Sequence, residues 1–198
     1  SGEFGGFNES LAQLYIITGD QTYLNGAKLF DNTTFFDKLK VNVDDIATRH
    51  ANQHIPQIIG AMETYEASVK AGTPEVKYYD IAENFWQMTV SRYAYSIGGV
   101  GTGEKFTQPY QQADNISGVT NCDTCASYNM LRLTKALNVY QPDNAEYMDY
   151  YERTLYNQIL ASQTQNVTDK KHNGTTYMLP IGPGSTRDYG GDYDSFTC

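Results

Sequence analysis

Apolar positions along the chain recur at steps of three and four, the spacing that gathers one face of an α-helix. Phe7, Leu11, Leu14 and Tyr15 define a first stripe, closed by Gly19-Asp20. Tyr23, Leu24, Ala27 and Phe30 define a second. The longest, over residues 53–70, carries Ile55, Ile58, Ile59, Met62, Glu66 and Val69, and Gly72 ends it. Thr73-Pro74 then reads as an N-cap followed by proline at the first helical position, where its missing N–H leaves no bond unmade. The fourth helix is expected to bury Val76, Tyr79, Phe85 and Met88, with Trp86 nearby. A fifth, over 125–139, presents Met130, Leu133, Leu137 and, just past it, Tyr140. Asp143-Asn144-Ala145-Glu146 is a variant of the capping box and opens a sixth, with Tyr147, Tyr151, Leu155 and Ile159 in line.

These helices pair across short turns marked by Gly or Pro, and each pair sets an aromatic-bearing helix against a Tyr-rich one. The loose self-similarity predicts an all-α protein of about three antiparallel hairpins, stacked as a solenoid or closed into part of an α/α toroid. A plain helical bundle has the same periodicity. No domain boundary is read within 1–198. Two long connections, 96–121 and 163–198, have no helical period; the first holds Gly98, Gly99, Gly101, Gly103 and Gly118. Within the second, residues 175–179 read as a short strand. Long loops of this kind inside a helical array are commonly functional, and both are expected at one end of the array.

Charge narrows the partners. Fourteen Lys and Arg against 23 Asp and Glu give a net charge of −9, with the basic residues scattered. That balance argues against nucleic acid and anionic lipid. No apolar run approaches the ~20 residues of a membrane-spanning helix. A neutral partner fits better, and 17 Tyr, 8 Phe and one Trp suit the flat faces of sugar rings as well as a core. Mean hydropathy is −0.54. Five N-x-S/T sequons, at Asn8, Asn32, Asn115, Asn166 and Asn173, lead us to expect an extracellular protein, with a cytoplasmic one left open. The chain opens Ser1-Gly2-Glu3 and stops on Cys198, which reads as an interior piece of a longer protein.

Three features carry candidate chemistry. Cys122-Asp123-Thr124-Cys125 precedes a helix whose N-terminus would favour thiolate and metal binding; a structural disulfide or inert thiols are the alternatives. His50 and His54 stand four apart, but Ala51 occupies the place of the zincin glutamate, which removes the protease base. Glu104 lies in the Gly-rich segment 101–106, where an acid/base role demands partial burial and a partner group.

Several segments together resemble glycoside hydrolase family 127, the β-L-arabinofuranosidase family. They are residues 3–9 (EFGGFNE), the turn at 18–20 with Tyr23-Leu24, residues 49–56 (RHANQHIP) and Gly98-Gly99 with 103–106 (GEKF). Cys125 with 128–131 (YNML), 151–157 (YERTLYN) and 194–198 (DSFTC) complete the set, in order along the chain. The resemblance implies an (α/α)6-barrel catalytic domain, of which this chain is part. It also implies a retaining glycosidase that releases terminal L-arabinofuranose from plant-type glycans, active as the full-length protein rather than as this piece. Carried over by position, Cys198 is the nucleophile and Glu104 the acid/base, while His50 and Tyr177 contact the sugar. Asp123, Cys125 and Cys198 are then ligands of a zinc cofactor, which keeps the sulfur deprotonated. Two departures stand out: Asp123 occupies a family glutamate position, one methylene shorter, and the family's second cysteine, straight after the nucleophile, has no counterpart within the 198 residues. A non-catalytic carbohydrate-binding module and a helical scaffold are the competing readings.

Overall fold

In a computed structural model of the chain, residues 5–116, 119–163 and 175–187 are described. Seven α-helices occur among them: α1 (Phe7–Thr18), α2 (Gln21–Lys28), α3 (Thr33–Leu39), α4 (Ala51–Lys70), α5 (Val76–Arg92), α6 (Thr124–Tyr140) and α7 (Ala145–Thr154). The last runs into a π-helical turn, Leu155–Ile159, and a short 3-10 turn, Leu160–Ser162. Three hairpins, α1–α2, α4–α5 and α6–α7, match the paired periodicity. Their first helices stand side by side in the order α1, α4, α6, while α2 packs on α1 and α4, α5 on α4 and α6, and α7 on α6.

The helix ends follow local chemistry. Gly19 closes α1 in the left-handed conformation, φ 74°, which costs glycine little. The Asp20 side chain then accepts from the Thr22 N–H to cap α2, and Asn144 accepts from the Glu146 N–H to cap α7. At the α4–α5 turn the expected cap is displaced. Thr73 N–H bonds back to the Ser68 carbonyl at 3.0 Å, so Thr73 finishes α4 rather than starting α5, whose N-cap is Glu75.

The core takes up part of the aromatic content. Trp86 packs edge-on against Tyr147 (ring centroids 4.6 Å) and Tyr150 (5.8 Å), and its indole N–H donates to Thr134 Oγ1 at 2.8 Å. Tyr78, Phe85, Tyr93 and Phe106 are buried with them. Several assigned core positions are corrected. Val76, at the first turn of α5, is exposed, and Tyr78, Ile81 and Ala82 take the buried face instead. Phe7 and Leu14 are likewise on the surface of α1, where Asn8, Ala12 and Tyr15 face inward. The short helix α3, unseen in the periodicity, seats Phe35, Phe36 and Leu39 in the core. Residues 175–179 form isolated bridges, Gln163 with Thr175 and Asp123 with Met178, instead of a strand.

The sequons divide in the same way. Asn8 is buried with its amide donating to the Gln57 carbonyl at 3.0 Å, which closes that sequon to a glycan in the folded chain. Asn166 and Asn173 lie outside the described residues.

Candidate active site

Four distant segments meet in a narrow ladder of single bridges: His50 with Lys105, Lys105 with Thr102, Thr102 with Asn121, and Asp123 with Met178. The ladder is sealed by Phe106 N–H to Arg49 O, Thr48 N–H to Phe106 O, Cys122 N–H to Gly101 O and Thr124 N–H to Tyr177 O. It lies across the N-termini of α4 and α6, whose N-caps are His50 and Asp123. The described parts of the two long connections therefore meet at one end of the helices, as their lack of periodicity suggested.

Glu104 sits at the tip of a two-residue hairpin. Thr102 and Lys105 exchange backbone hydrogen bonds at 2.8 and 3.2 Å, and Gly103 (φ 55°) and Glu104 (φ 66°) both adopt left-handed backbone. Positive φ at both central residues is the type I′ pattern, where glycine or asparagine is preferred and glutamate is strained. The Glu104 carbonyl accepts from the Ala51 N–H at 2.8 Å, tying the turn to the start of α4. Its carboxylate is held on both sides: Tyr177 Oη donates to Oε1, and His50 Nε2 lies 3.4 Å from Oε2. Burial, and then the hydrogen bond to Glu104 with the charges of Asp123, Glu104 and Cys125, push the Tyr177 phenol well above its usual range. Tyr177 thus stays a proton donor to the carboxylate.

Asp123 is buried at the start of α6. Its Oδ1 accepts from the Cys125 N–H at 2.7 Å and the Ala126 N–H at 3.4 Å, a helix cap that uses one oxygen. Oδ2 has no partner among the described residues. Burial raises the carboxyl pKa, with a contribution from Glu104, while the two backbone N–H groups and the Cys125 thiol oppose it. A buried carboxylate oxygen without a donor, beside a thiol at a helix N-terminus, is an O,S donor pair that suits zinc. The shorter side chain bears on this directly, because capping leaves Asp123 only Oδ2 for a metal. Among the described residues no three His, Cys, Asp or Glu side chains are grouped to hold an ion by themselves. Cys198, expected as nucleophile and third ligand, lies outside the described residues.

The two histidines part company. His54 Nδ1 faces the His50 carbonyl at 2.9 Å and its Nε2 faces Arg49 at 3.3 Å, while its ring packs on Phe35. Burial first, and then Arg49, lowers its pKa. His54 is a packed histidine away from Glu104. The two cysteines part as well: they are not joined to each other, and Cys122 is buried, its thiol pushed up to about 12 by desolvation.

Supporting residues escaped the sequence reading. Asn121 is buried and donates to Thr102 Oγ1 at 2.9 Å and to the Asn115 carbonyl at 2.8 Å; Tyr95 Oη meets the same Thr102 hydroxyl at 2.6 Å. They brace the hairpin that carries Glu104. Only the placement of Asn121 directly before Cys122 hinted at it.

A family model described as "Beta-L-arabinofuranosidase, GH127 catalytic domain" matches residues 1–198. No curated protein matches the chain. Among solved structures, the fold is similar to a GH127 beta-arabinofuranosidase at TM-score 0.62 and 26% identity, over 80% of this chain and 25% of that one. It is also similar, in fold alone, to a GH127 beta-L-arabinofuranosidase from Geobacillus stearothermophilus T6, at TM-score 0.62 and 19% identity, over 87% of this chain and 30% of that one. The chain thus spans less than a third of the length of either. The all-α hairpin row is consistent with part of a GH127 α/α-barrel domain. With the family match running along the whole chain, the chain belongs to the GH127 β-L-arabinofuranosidase catalytic-domain family.

Proposed function

We propose that the full-length polypeptide is a retaining glycoside hydrolase that releases terminal L-arabinofuranose from plant-type glycans outside the cell. The convergence of His50, Glu104, Asp123 and Tyr177 on one ladder, from segments far apart in sequence, carries this reading. Cys198 is the proposed nucleophile, and Asp123, Cys125 and Cys198 are the residues that would hold zinc. When bound, zinc supplies a deprotonated sulfur at neutral pH.

Glu104 supplies the proton. Oε1 is engaged as acceptor for Tyr177, so the transferable proton belongs on Oε2, on the side of His50. In the first step a bond forms between the Cys198 sulfur and the anomeric carbon, the glycosidic C–O bond breaks, and the Oε2 proton passes to the leaving oxygen. In the second, Glu104 takes a proton from water as that water attacks the anomeric carbon and the C–S bond breaks, restoring both groups. His50 and Tyr177 orient the carboxylate and face the sugar.

The test is hydrolysis of an aryl β-L-arabinofuranoside by the full-length polypeptide, before and after treatment with a strong chelator. Turnover with about one equivalent of zinc, lost on chelation and restored by zinc, is the expected result. Sugar binding without turnover would replace this reading by the carbohydrate-binding module.

A further inference from the structure

Besides the ladder bond from its N–H to the Gly101 carbonyl, one bond that holds Cys122, the residue preceding the Asp123 cap, comes from an unexpected element. Cys122 is buried with φ 55°, a left-handed conformation that a non-glycine residue adopts only when its surroundings enforce it. Gln158, buried on the π-helical turn after α7, donates from Nε2 to the Cys122 carbonyl at 2.9 Å. The Leu179 N–H reaches the same carbonyl at 3.2 Å. Gln158 Oε1 has no partner among the described residues. A buried amide that leaves its oxygen unsatisfied is poor core filler; an apolar side chain of the same length would fill the space without that penalty. What the amide provides is one directed donor. The π turn is a widened, uncommon turn that recurs at functional sites, and it delivers Gln158 to this spot. The backbone opposite is fitted to it: a Cβ on Gly99 would lie 2.8 Å from Gln158 Oε1 and 2.8 Å from Cys122 Sγ. Tyr150 Oη, one helix turn earlier than Thr154, also donates to the Gly98 carbonyl at 2.8 Å.

We propose that Gln158 is a positioning residue: its hydrogen bond fixes the reversed backbone at Cys122, and thereby aims the Asp123 carboxylate and the Cys125 thiol that follow. It touches neither substrate nor metal. This rests on the zinc-site reading above, since aiming matters only if Asp123 and Cys125 act together on a ligand.

The experiment compares the full-length polypeptide with Gln158→Met, which keeps length and removes the donor, and with Tyr150→Phe, which breaks the neighbouring bond to Gly98. Cobalt(II) is the probe, read through its thiolate charge-transfer absorption and by competition with a chelator. The expected result is a loss of cobalt affinity of roughly ten- to a hundred-fold in Gln158→Met with an altered band, and unchanged affinity in Tyr150→Phe. Amide exchange should also quicken at Cys125 and Ala126, whose N–H groups bond Asp123 Oδ1, and stay unchanged at Ala51. Native affinity, band and exchange in a folded Gln158→Met overturn the proposal. If that variant fails to fold, Gln158→Asn, one methylene too short to reach the carbonyl, is judged on the same readouts. A wild-type protein that binds no cobalt overturns the zinc reading instead, and the exchange measurement then decides the role of Gln158 by itself.

Discussion

At the scale of single residues, the site concentrates backbone strain where chemistry is proposed. Thr48, Glu104 and Cys122 all have positive φ and all lie in the bridged ladder, among five non-glycine residues with that conformation in the described chain. A left-handed residue with a side chain costs roughly 1–2 kcal/mol relative to the right-handed form. Glycine at position 104 would relieve it, so stability alone does not select glutamate there. Glu104→Gly is therefore expected to unfold at the same or higher denaturant concentration than wild type, while Glu104→Gln keeps the strain and the shape. Both should lose hydrolysis of a substrate with a poor leaving group by a factor on the order of 10²–10⁴, the usual worth of a general acid. A good leaving group needs less protonation, and Glu104→Gln should retain more of its rate with one. Equal, small losses on both substrates would remove Glu104 from the reaction. A Glu104→Gly protein less stable than Glu104→Ala, which also lacks the carboxylate contacts to Tyr177 and His50 but keeps the Cβ, would show that the turn is unstrained.

At the scale of elements, the sequence was most readable where a helix is long and one-sided. Stripes such as Ile55, Ile58, Ile59 and Met62 on α4 are buried as their spacing requires. Helix α3 escaped because seven residues span two turns and its apolar residues cluster at Phe35, Phe36 and Leu39 without a repeat. Val76 was misplaced because a side chain in the first turn has no preceding turn to cover it. The ladder was not readable from spacing at all: it joins His50 to Lys105 and Asp123 to Met178, and only the family resemblance put Glu104 and Tyr177 together. The same limit hid one close helix contact. Gly60 of α4 faces Asn8 of α1, and a Cβ there would lie 2.0 Å from Asn8 Oδ1. Asn8 cannot easily move, because its amide is bonded to the Gln57 carbonyl. Gly60→Ala should therefore destabilise by about 1–3 kcal/mol despite the better helix propensity of alanine. Adding Asn8→Ala makes room, so the double mutant should be more stable than the sum of the two single losses predicts. Additive losses in equilibrium unfolding would show that Gly60 is not held by this contact.

At the scale of the whole molecule, one face is not closed by the described residues. The stripe Tyr151, Leu155 and Ile159, expected in the core, is only partly buried, because α7 turns Tyr147, Tyr150 and Thr154 inward and Gln158 follows them. The displaced stripe lines a groove of about 640 Å³ between α4, α6 and the π turn, together with Ile59, Leu131 and Val139. Of the residues that line it, Tyr128 is 58% and Val139 69% exposed. Glu63 lines the same groove, and burial, then the charges of Glu66 and Glu9, raise its pKa. Apolar residues exposed together in this way, among Glu66, Arg132 and Lys135, form the kind of surface that further protein can cover, and the chain spans only 25% and 30% of the two solved relatives. Residues 1–198 expressed alone should accordingly bind an apolar fluorescent dye, and the full-length polypeptide should bind much less. Replacing Leu155 and Ile159 by lysine in the isolated chain should suppress the dye signal and leave helical circular dichroism intact, since neither side chain lies in the buried core. Strong dye binding that survives the double replacement would place the exposed apolar surface elsewhere. Equal binding by the isolated and full-length chains would mean that the groove stays open in the complete protein.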